Sequence, residues 1–559
     1  MIDIKTIIDE LPTNPSEALI QLNSILGNKQ IRQFLKKNKK QKDPVYDIHI
    51  KSLDGKTKSY QKPSFPSCVY VDYMKSVGNS RKKLPLLNYH PLFKLLETHK
   101  FDKEWMRFTR EDILGAIEGK YTKDHYKASF SVLQSMIDLE PKLLDFMADC
   151  YNSLLDHEIC PEWSNCGLAP SHKGGDTSDP KNFRPLTIIA LVVRIWDSVI
   201  SKKLAELLKK YGVIDTLVQR GVLSGVGGLN QNLLDVNRAM CSMSDDKICF
   251  FIDITNAYGS VNYELLCHIL REYNFSPALT EYIKNYYMNA HASYDGQIFR
   301  WENGIYQGSG LSNIIFLIYM DYALKNAMTD LKMMRIIDFS FDLQANTRAF
   351  VDDLVIFLQK NSYGPAIEFI QMLFSRFYGL EINQKKTYFF MNDPKVYELT
   401  IGDIIFPRVH IDFLYLGQGL LCFGKKFLDN YLEKIRLYLE EIDSFDIDPK
   451  YKLYLYYRRI FQRINRTLKC WYAVHGRTGG LDEIMKLIGY FIYRWTGAFP
   501  DTYLEKHIEY IANKISGVEL SKSEVVDFPT LFGVENPMSD NFLEEIKNCS
   551  DDPYLRASL

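Results

Sequence analysis

Thr347-Arg-Ala-Phe-Val-Asp-Asp-Leu-Val-Ile-Phe-Leu358 places Asp352 and Asp353 between apolar flanks. Carboxylates inside such a run are costly to bury unless something pairs with them. Neighbouring residues of a strand point to opposite faces, so a tight hairpin turn is the natural way to present both acids. Alone, the pair reads equally well as an ordinary Asp-Asp turn. A second burst, Ile248-Cys-Phe-Phe-Ile-Asp-Ile254, runs in the same way into Asp253 and then a turn of small residues. Three carboxylates from two buried strands suit two Mg2+ ions a few Å apart, each taking oxygen ligands and keeping open positions. A calcium loop is the rival, but no D-x-D-x-D-G run with a distal Glu is present.

Outward from these bursts, strands and helices alternate. Apolar residues recur at helical spacing from 101 to 158, as in Ile113 and Ile117, then Leu143, Leu144 and Met147. Residues 166–190 read as extended and loop-like, with turn signals at Gly174-Gly175 and Asp179-Pro180. Helices are expected through Trp196 to Leu204, Leu265 to Tyr273, Pro277 to Met288, Ser312 to about Leu324, and 365–378. Ala292–Ile305 reads as hairpin-like, and beyond Phe423 the chain reads as predominantly helical to about Trp495. The pattern predicts an α+β fold followed by an all-α module.

At roughly 150 residues per domain, the length of the chain implies three or four units. Hydrophobic residues make up 46% of the 559 and charged residues 25%, which excludes global disorder. The longest apolar runs fall far short of the roughly 20 residues a membrane helix needs, and the start lacks the pattern of a signal peptide. Ten scattered cysteines, with no Cys-x2-Cys pair, read as reduced thiols rather than a zinc site. The net charge of −1 hides an asymmetry. Residues 31–100 carry 16 Lys and Arg against 5 Asp and Glu, whereas residues 501–559 carry 5 against 12. The basic block suits phosphates and reads equally as a solvated arm.

The order of the segments resembles a reverse transcriptase, most closely the non-LTR (LINE-type) retrotransposon branch, over residues 105–500. Phe251-Ile-Asp-Ile-Thr-Asn-Ala-Tyr258 matches motif A and Tyr306-Gln-Gly-Ser-Gly-Leu-Ser312 matches motif B. Ala349-Phe-Val-Asp-Asp-Leu354 resembles motif C, Gly379-Leu-Glu-Ile-Asn-Gln-Lys-Lys-Thr387 motif D, and Phe413-Leu-Tyr-Leu-Gly417 motif E. Pro170–Asp176, Asn182–Leu186 and Gln219-Arg-Gly221 resemble the upstream segments. The resemblance implies a right-hand α+β polymerase. Its parts would be a basic N-terminal extension (1–100), a helical N-terminal region (101–165), fingers (166–235), a palm with motifs A to E (236–417), a helical thumb (418–500) and an acidic C-terminal extension (501–559). The fingers would precede and interrupt the palm.

The implied reaction is attack of a primer 3′-OH on a dNTP, copying an RNA template from a DNA or RNA primer. Carried over by position, Asp253, Asp352 and Asp353 would be catalytic and would hold two Mg2+ ions, with Mn2+ as a substitute, and the Ile254 carbonyl would join them. Lys173 and Arg184 would meet the triphosphate, where an ammonium and a guanidinium fork suit phosphate oxygens. Gln307 and Gly308 would lie under the incoming nucleotide, Tyr258 would exclude a ribose 2′-OH, and Lys386 would donate a proton to pyrophosphate. Arg459, Arg463 and Arg466 fall on one helical face and would track a duplex backbone. A separate endonuclease is a further expected partner, no membrane is expected, and the location would be intracellular, nucleus or cytoplasm. Departures from the family pattern stand at Gly259, Ser309-Gly310, Asn313 and Val351. The alternatives are an RNA-dependent RNA polymerase, or a relic acting as an RNA-binding or maturase-like scaffold.

Overall fold

A computed structural model of the chain describes residues 11–27, 62–77, 83–85, 103–118, 124–223, 228–302, 304–447, 452, 455–456, 461–476 and 479–496. The strands that frame the site are, in chain order, β1 (Cys166–His172), β2 (Phe183–Ile189), β3 (Lys247–Ile252), β4 (Ile254–Thr255), β5 (His291–Tyr294), β6 (Gln297–Arg300), β7 (Thr347–Phe350), β8 (Asp353–Gln359), β9 (Glu381–Ile382) and β10 (Tyr388–Phe390).

The central sheet has the order β10-β3-β8-β7, antiparallel throughout. Its strands are apolar at nearly every position because both faces are buried. Ile248, Phe250 and Ile252 with Leu354, Ile356 and Leu358 turn to one core. Cys249, Phe251, Val355 and Phe357 turn to a second. The period of two thus sorts one apolar run between two cores. The first core includes the helix Gly310–Met333, whose apolar residues run all round it, as expected of a helix enclosed by others. The second core is built with the helices Gly228–Cys241, Lys425–Asp443, Gln462–His475 and Gly479–Thr496. Phe250 is fully buried, so truncating it to alanine would cost about 3–5 kcal/mol.

A second sheet has the order β2-β1-β5-β6. β1 and β2 form an antiparallel hairpin, and β1 pairs in parallel with β5, so residues after β3 complete a sheet begun before it. The stretch 166–190, expected to be extended and loop-like, is therefore a hairpin. Pro170 lies opposite Pro185 in its register, and small or polar residues interrupt the alternation that would have marked it. The helix expected from Ser312 to about Leu324 starts at Gly310, capped by Ser309, and runs on to Met333. The helix Tyr363–Leu373 continues as a π turn to Tyr378 and stops at Gly379.

The described parts of the N-terminal region pack against the rest of the chain. The helix Pro15–Gly27 buries Leu19, Leu22 and Leu26 in the first core, and Asn23 accepts the Leu191 N–H at 2.8 Å. The helix Ser67–Ser76 lays Tyr70 against Tyr294 of β5, with ring centroids 5.0 Å apart. The block 31–100 is described only at 62–77 and 83–85, and 501–559 lies outside the described residues. Every cysteine among the described residues is a free thiol, and no described helix is long and apolar enough to cross a membrane.

Candidate active site

β7 and β8 pair up to Phe350 and Asp353, leaving Val351-Asp352 as a two-residue turn. Asp253 follows β3 directly and precedes β4, so the neighbouring strands β3 and β8 deliver all three acids to one end of the central sheet. The main-chain N–H of Asp253 donates to the Thr387 hydroxyl at 3.3 Å, and its carbonyl accepts the Asn383 N–H at 2.8 Å. Ile254 is buried and pairs with Ile382 of β9. Val351 has φ +64°, a left-handed conformation that is exceptional for a β-branched residue and costs on the order of 1–3 kcal/mol.

Burial raises all three carboxyls, and repulsion between the acids adds to it at Asp352 and Asp353. Burial and then repulsion from Asp352 and Asp253 push Asp353 up to about 7. Asp353 nonetheless retains open surface, as a group on the floor of a cleft does: hemmed in by protein, open above. Burial also raises Asp352, with repulsion from Asp253 added. Burial raises Asp253 against the opposing pull of Lys386, Asn383, Arg184 and Lys173. Among the described residues, no three His, Cys, Asp or Glu side chains converge as a ready-made ion cage. The donor set nevertheless suits a hard divalent cation: acidic oxygens only, crowded together, each destabilised in its charged form until positive charge arrives.

Positive charge converges on the same end of the sheet from separate elements. Lys173 lies at the end of β1 and Arg184 in β2, where it pairs with Ser171; Lys386 follows β9. Burial holds Lys173 below the usual lysine range, with repulsion from Arg184 and Lys386 added and Asp253 opposing. The Lys173 ammonium donates to the Lys181 carbonyl at 3.1 Å.

Tyr258 is half-buried and close enough to Asp352 to feel its charge; burial first, then that charge, raises the phenol. Its ring stacks on Phe316 at 4.9 Å and 11°, and its hydroxyl donates to Asn313 Oδ1 at 2.8 Å. The departure at Asn313 thus supplies the acceptor for this phenol. The Gln307 carbonyl accepts both the N–H and the hydroxyl of Thr187, at 2.8 and 3.0 Å, bridging it to β2. Gly308 has φ +119°, and a Cβ there would stand 3.3 Å from the Thr187 carbonyl, so the turn favours glycine.

The predicted basic stripe of the last helices is only partly described. Arg459 lies outside the described residues, and Arg463 is placed in the helix Gln462–His475 by its backbone. Arg466 is half-buried and lines a cavity of about 180 Å³ with Leu416, Gly417 and Lys434. Ile464 and Leu468 of the same helix are fully buried.

Gln219-Arg-Gly221 matches the family order, but no role for it is legible in the sequence. Gln219 is fully buried and makes hydrogen bonds at 2.9 and 3.0 Å to the turn between β7 and β8. Only its nearness to a glycine within the motif order marked it.

Residues 171–420 match the family described as reverse transcriptase (RNA-dependent DNA polymerase). Two retrovirus-related Pol polyproteins from the type-1 retrotransposable element R2 are similar in sequence. That of Nasonia vitripennis is 26% identical over 187 residues, covering 31% of this chain and 17% of that protein. That of Bradysia coprophila is 25% identical over 238 residues, covering 39% and 25%. The matches span a quarter or less of these curated relatives' length. Among solved structures, telomerase from Candida albicans in complex with a fragment of telomeric RNA covers 74% of this chain and 80% of that one, at 12% identity and a TM-score of 0.37.

Proposed function

We propose, on the premise that residues 171–420 are a reverse-transcriptase domain, that the protein is an RNA-directed DNA polymerase extending a primer 3′-OH with dNTPs on an RNA template. The observation that carries this reading is the end of the central sheet, where Asp253, Asp352 and Asp353 meet the fields of Lys173, Arg184 and Lys386. A triphosphate brings negative charge that three cations from different elements can grip, and a pair of cations suits the carboxylates beneath it.

Asp253 and Asp352 would hold the divalent ions, with Asp353 and the Ile254 carbonyl beside them. Two bound Mg2+ ions would supply activation of the primer hydroxyl and charge neutralisation at the leaving pyrophosphate. Lys173 and Arg184 would orient the triphosphate from the β1–β2 hairpin, which would play the part of the fingers. Lys386 would give a proton to the departing pyrophosphate. The Tyr258 ring, held by Phe316 and Asn313, would lie against the C2′ face of the sugar and deny room to a ribose hydroxyl. Gln307 and Gly308 would form the floor under the incoming nucleotide. The central sheet would be the palm, and the helices from Lys425 onward the thumb, with Arg459, Arg463 and Arg466 toward a duplex backbone.

Primer extension by the full chain on primed RNA tests the reading. Asp253→Ala, Asp352→Ala and Asp353→Ala should each cut extension by several orders of magnitude while the protein stays folded, because phosphoryl transfer here depends on positioning and charge neutralisation. Near-wild-type extension by two of the three would overturn the assignment. An RNA-dependent RNA polymerase, the other enzymatic reading, would prefer NTPs to dNTPs on the same primed template.

A further inference from the structure

We infer that Gln219 is the positioning residue of the Asp352 turn: its side-chain amide holds Val351 in the left-handed conformation and so sets where the Asp352 carboxylate points. The inference rests on reading Asp352 as a catalytic carboxylate, whereas the coupling between residues 219 and 351 stands apart from that reading.

A valine at φ +64° returns to the extended region unless its surroundings forbid it. Here one side chain takes up both of its backbone groups. The Val351 N–H donates to Gln219 Oε1 at 2.9 Å, and Gln219 Nε2 donates to the Val351 carbonyl at 3.0 Å. Oε1 also accepts the Gly221 N–H at 3.0 Å, which aims the amide. The loop carrying Gln219 is itself bound along β7. The Ala349 N–H donates to the Val218 carbonyl at 2.7 Å, and the Ala349 carbonyl accepts the Arg220 N–H at 3.0 Å and Asn232 Nδ2 at 2.9 Å. Asp235 ties the two sides together, pairing with Arg220 at 2.6 Å and Arg348 at 3.2 Å. Gly221 closes the clasp: a Cβ there would meet Val351 Cγ2 at 2.5 Å and its nitrogen at 2.7 Å. Residue 351 immediately precedes Asp352, so a change in its backbone torsions swings the carboxylate. A buried amide with no exposed surface, spent on the main chain of a single turn, has positioning as its chemistry.

The test measures single-nucleotide addition on primed RNA and the melting temperature for the full chain as wild type, Gln219→Met, Gln219→Glu, Val351→Gly and the two double variants. Gln219→Met should lower kcat about 10- to 100-fold with KM for the dNTP little changed, the scale expected of a carboxylate displaced by about 1 Å. Gln219→Glu keeps the acceptor for two N–H groups but sets a carboxylate oxygen against the Val351 carbonyl in a fully buried site, so its loss should be at least as large. Glycine takes φ > 0 without steric cost, so with Val351→Gly in place either Gln219 substitution should cost much less kcat. Equal factors in both backgrounds, or KM rising in step with the fall in kcat, would overturn the inference. If the wild type extends no primer, the polymerase reading fails by itself. The melting temperatures then decide: the drop caused by replacing Gln219 must be smaller when residue 351 is glycine, and equal drops overturn the coupling. If Gln219→Met does not fold, the same comparison is made with Gln219→Glu.

Discussion

Asp353 sits far above the carboxylate range of an unfolded chain, and the sign of the consequence follows from linkage. With about 7 in the folded protein against roughly 3.9 unfolded, the folded state binds the extra proton between those values. Without divalent cations, stability should therefore fall as pH rises from about 4 to 7, and Asp352 and Asp253 push in the same direction. Melting temperatures at pH 5 and 8 in chelator should show this fall, Asp353→Asn should flatten it, and Mg2+ should reverse it above pH 7. A flat profile in the wild type would mean that the carboxyls do not crowd one another. Tyr258 supplies the second prediction at this scale. Tyr258→Val should raise ribonucleotide use relative to dNTP, read as the ratio of kcat/KM values, each tenfold change being about 1.4 kcal/mol. Asn313→Ala removes the acceptor of the phenol at 2.8 Å while leaving the Phe316 stack, so it should move that ratio in the same direction by less. An unchanged ratio in both active variants would reduce Tyr258 to core packing.

The turn after Tyr306 shows what an element does that its residues alone do not. Gly308 lets the chain double back so that the Gln307 carbonyl meets Thr187 of β2, joining the loop before the helix Gly310–Met333 to the hairpin that carries Lys173 and Arg184. Gly308→Ala would force a side chain into a positive-φ turn at a cost of about 1–3 kcal/mol. The expected result is a loss of about tenfold in kcat/KM for the dNTP, with a melting temperature lowered by only a few degrees. Elements were unequally legible in the sequence. β3 and β8 were plain because nearly every position is apolar and a carboxylate ends or opens each run. The β1–β2 hairpin was hidden by facing prolines, and the buried helix Pro15–Gly27 by the basic block downstream of it. The clasp on Val351 joins residues far apart in sequence, and hydrophobic periodicity carries no signal for a side chain that bonds to a distant main chain.

For the whole molecule, the basic block must be tested without removing residues 1–100, since that deletion would take away a helix that belongs to the core. Lys36, Lys37, Lys39 and Lys40 changed to glutamine should flatten the salt dependence of template binding, by about 0.7 in the log–log slope for each single-strand phosphate no longer neutralised. An unchanged slope would leave the block as a solvated surface. The α+β class and the three acids were readable from the sequence, because burial of an apolar run around a charge leaves a local trace, and the motif order was readable from the resemblance. The joining of the β1–β2 and β5–β6 hairpins into one sheet left no such trace, since it depends on Cys166 finding Ala292. That pairing also bears on synthesis. As the chain emerges from a ribosome at roughly 5–20 residues per second, the free edge of β1 waits on the order of ten seconds for β5. Through that interval a half-made sheet offers its unpaired main chain to any neighbouring nascent copy. Slowing translation between β2 and β5 should therefore lower the soluble yield, whereas chaperone supply over the same stretch should raise it.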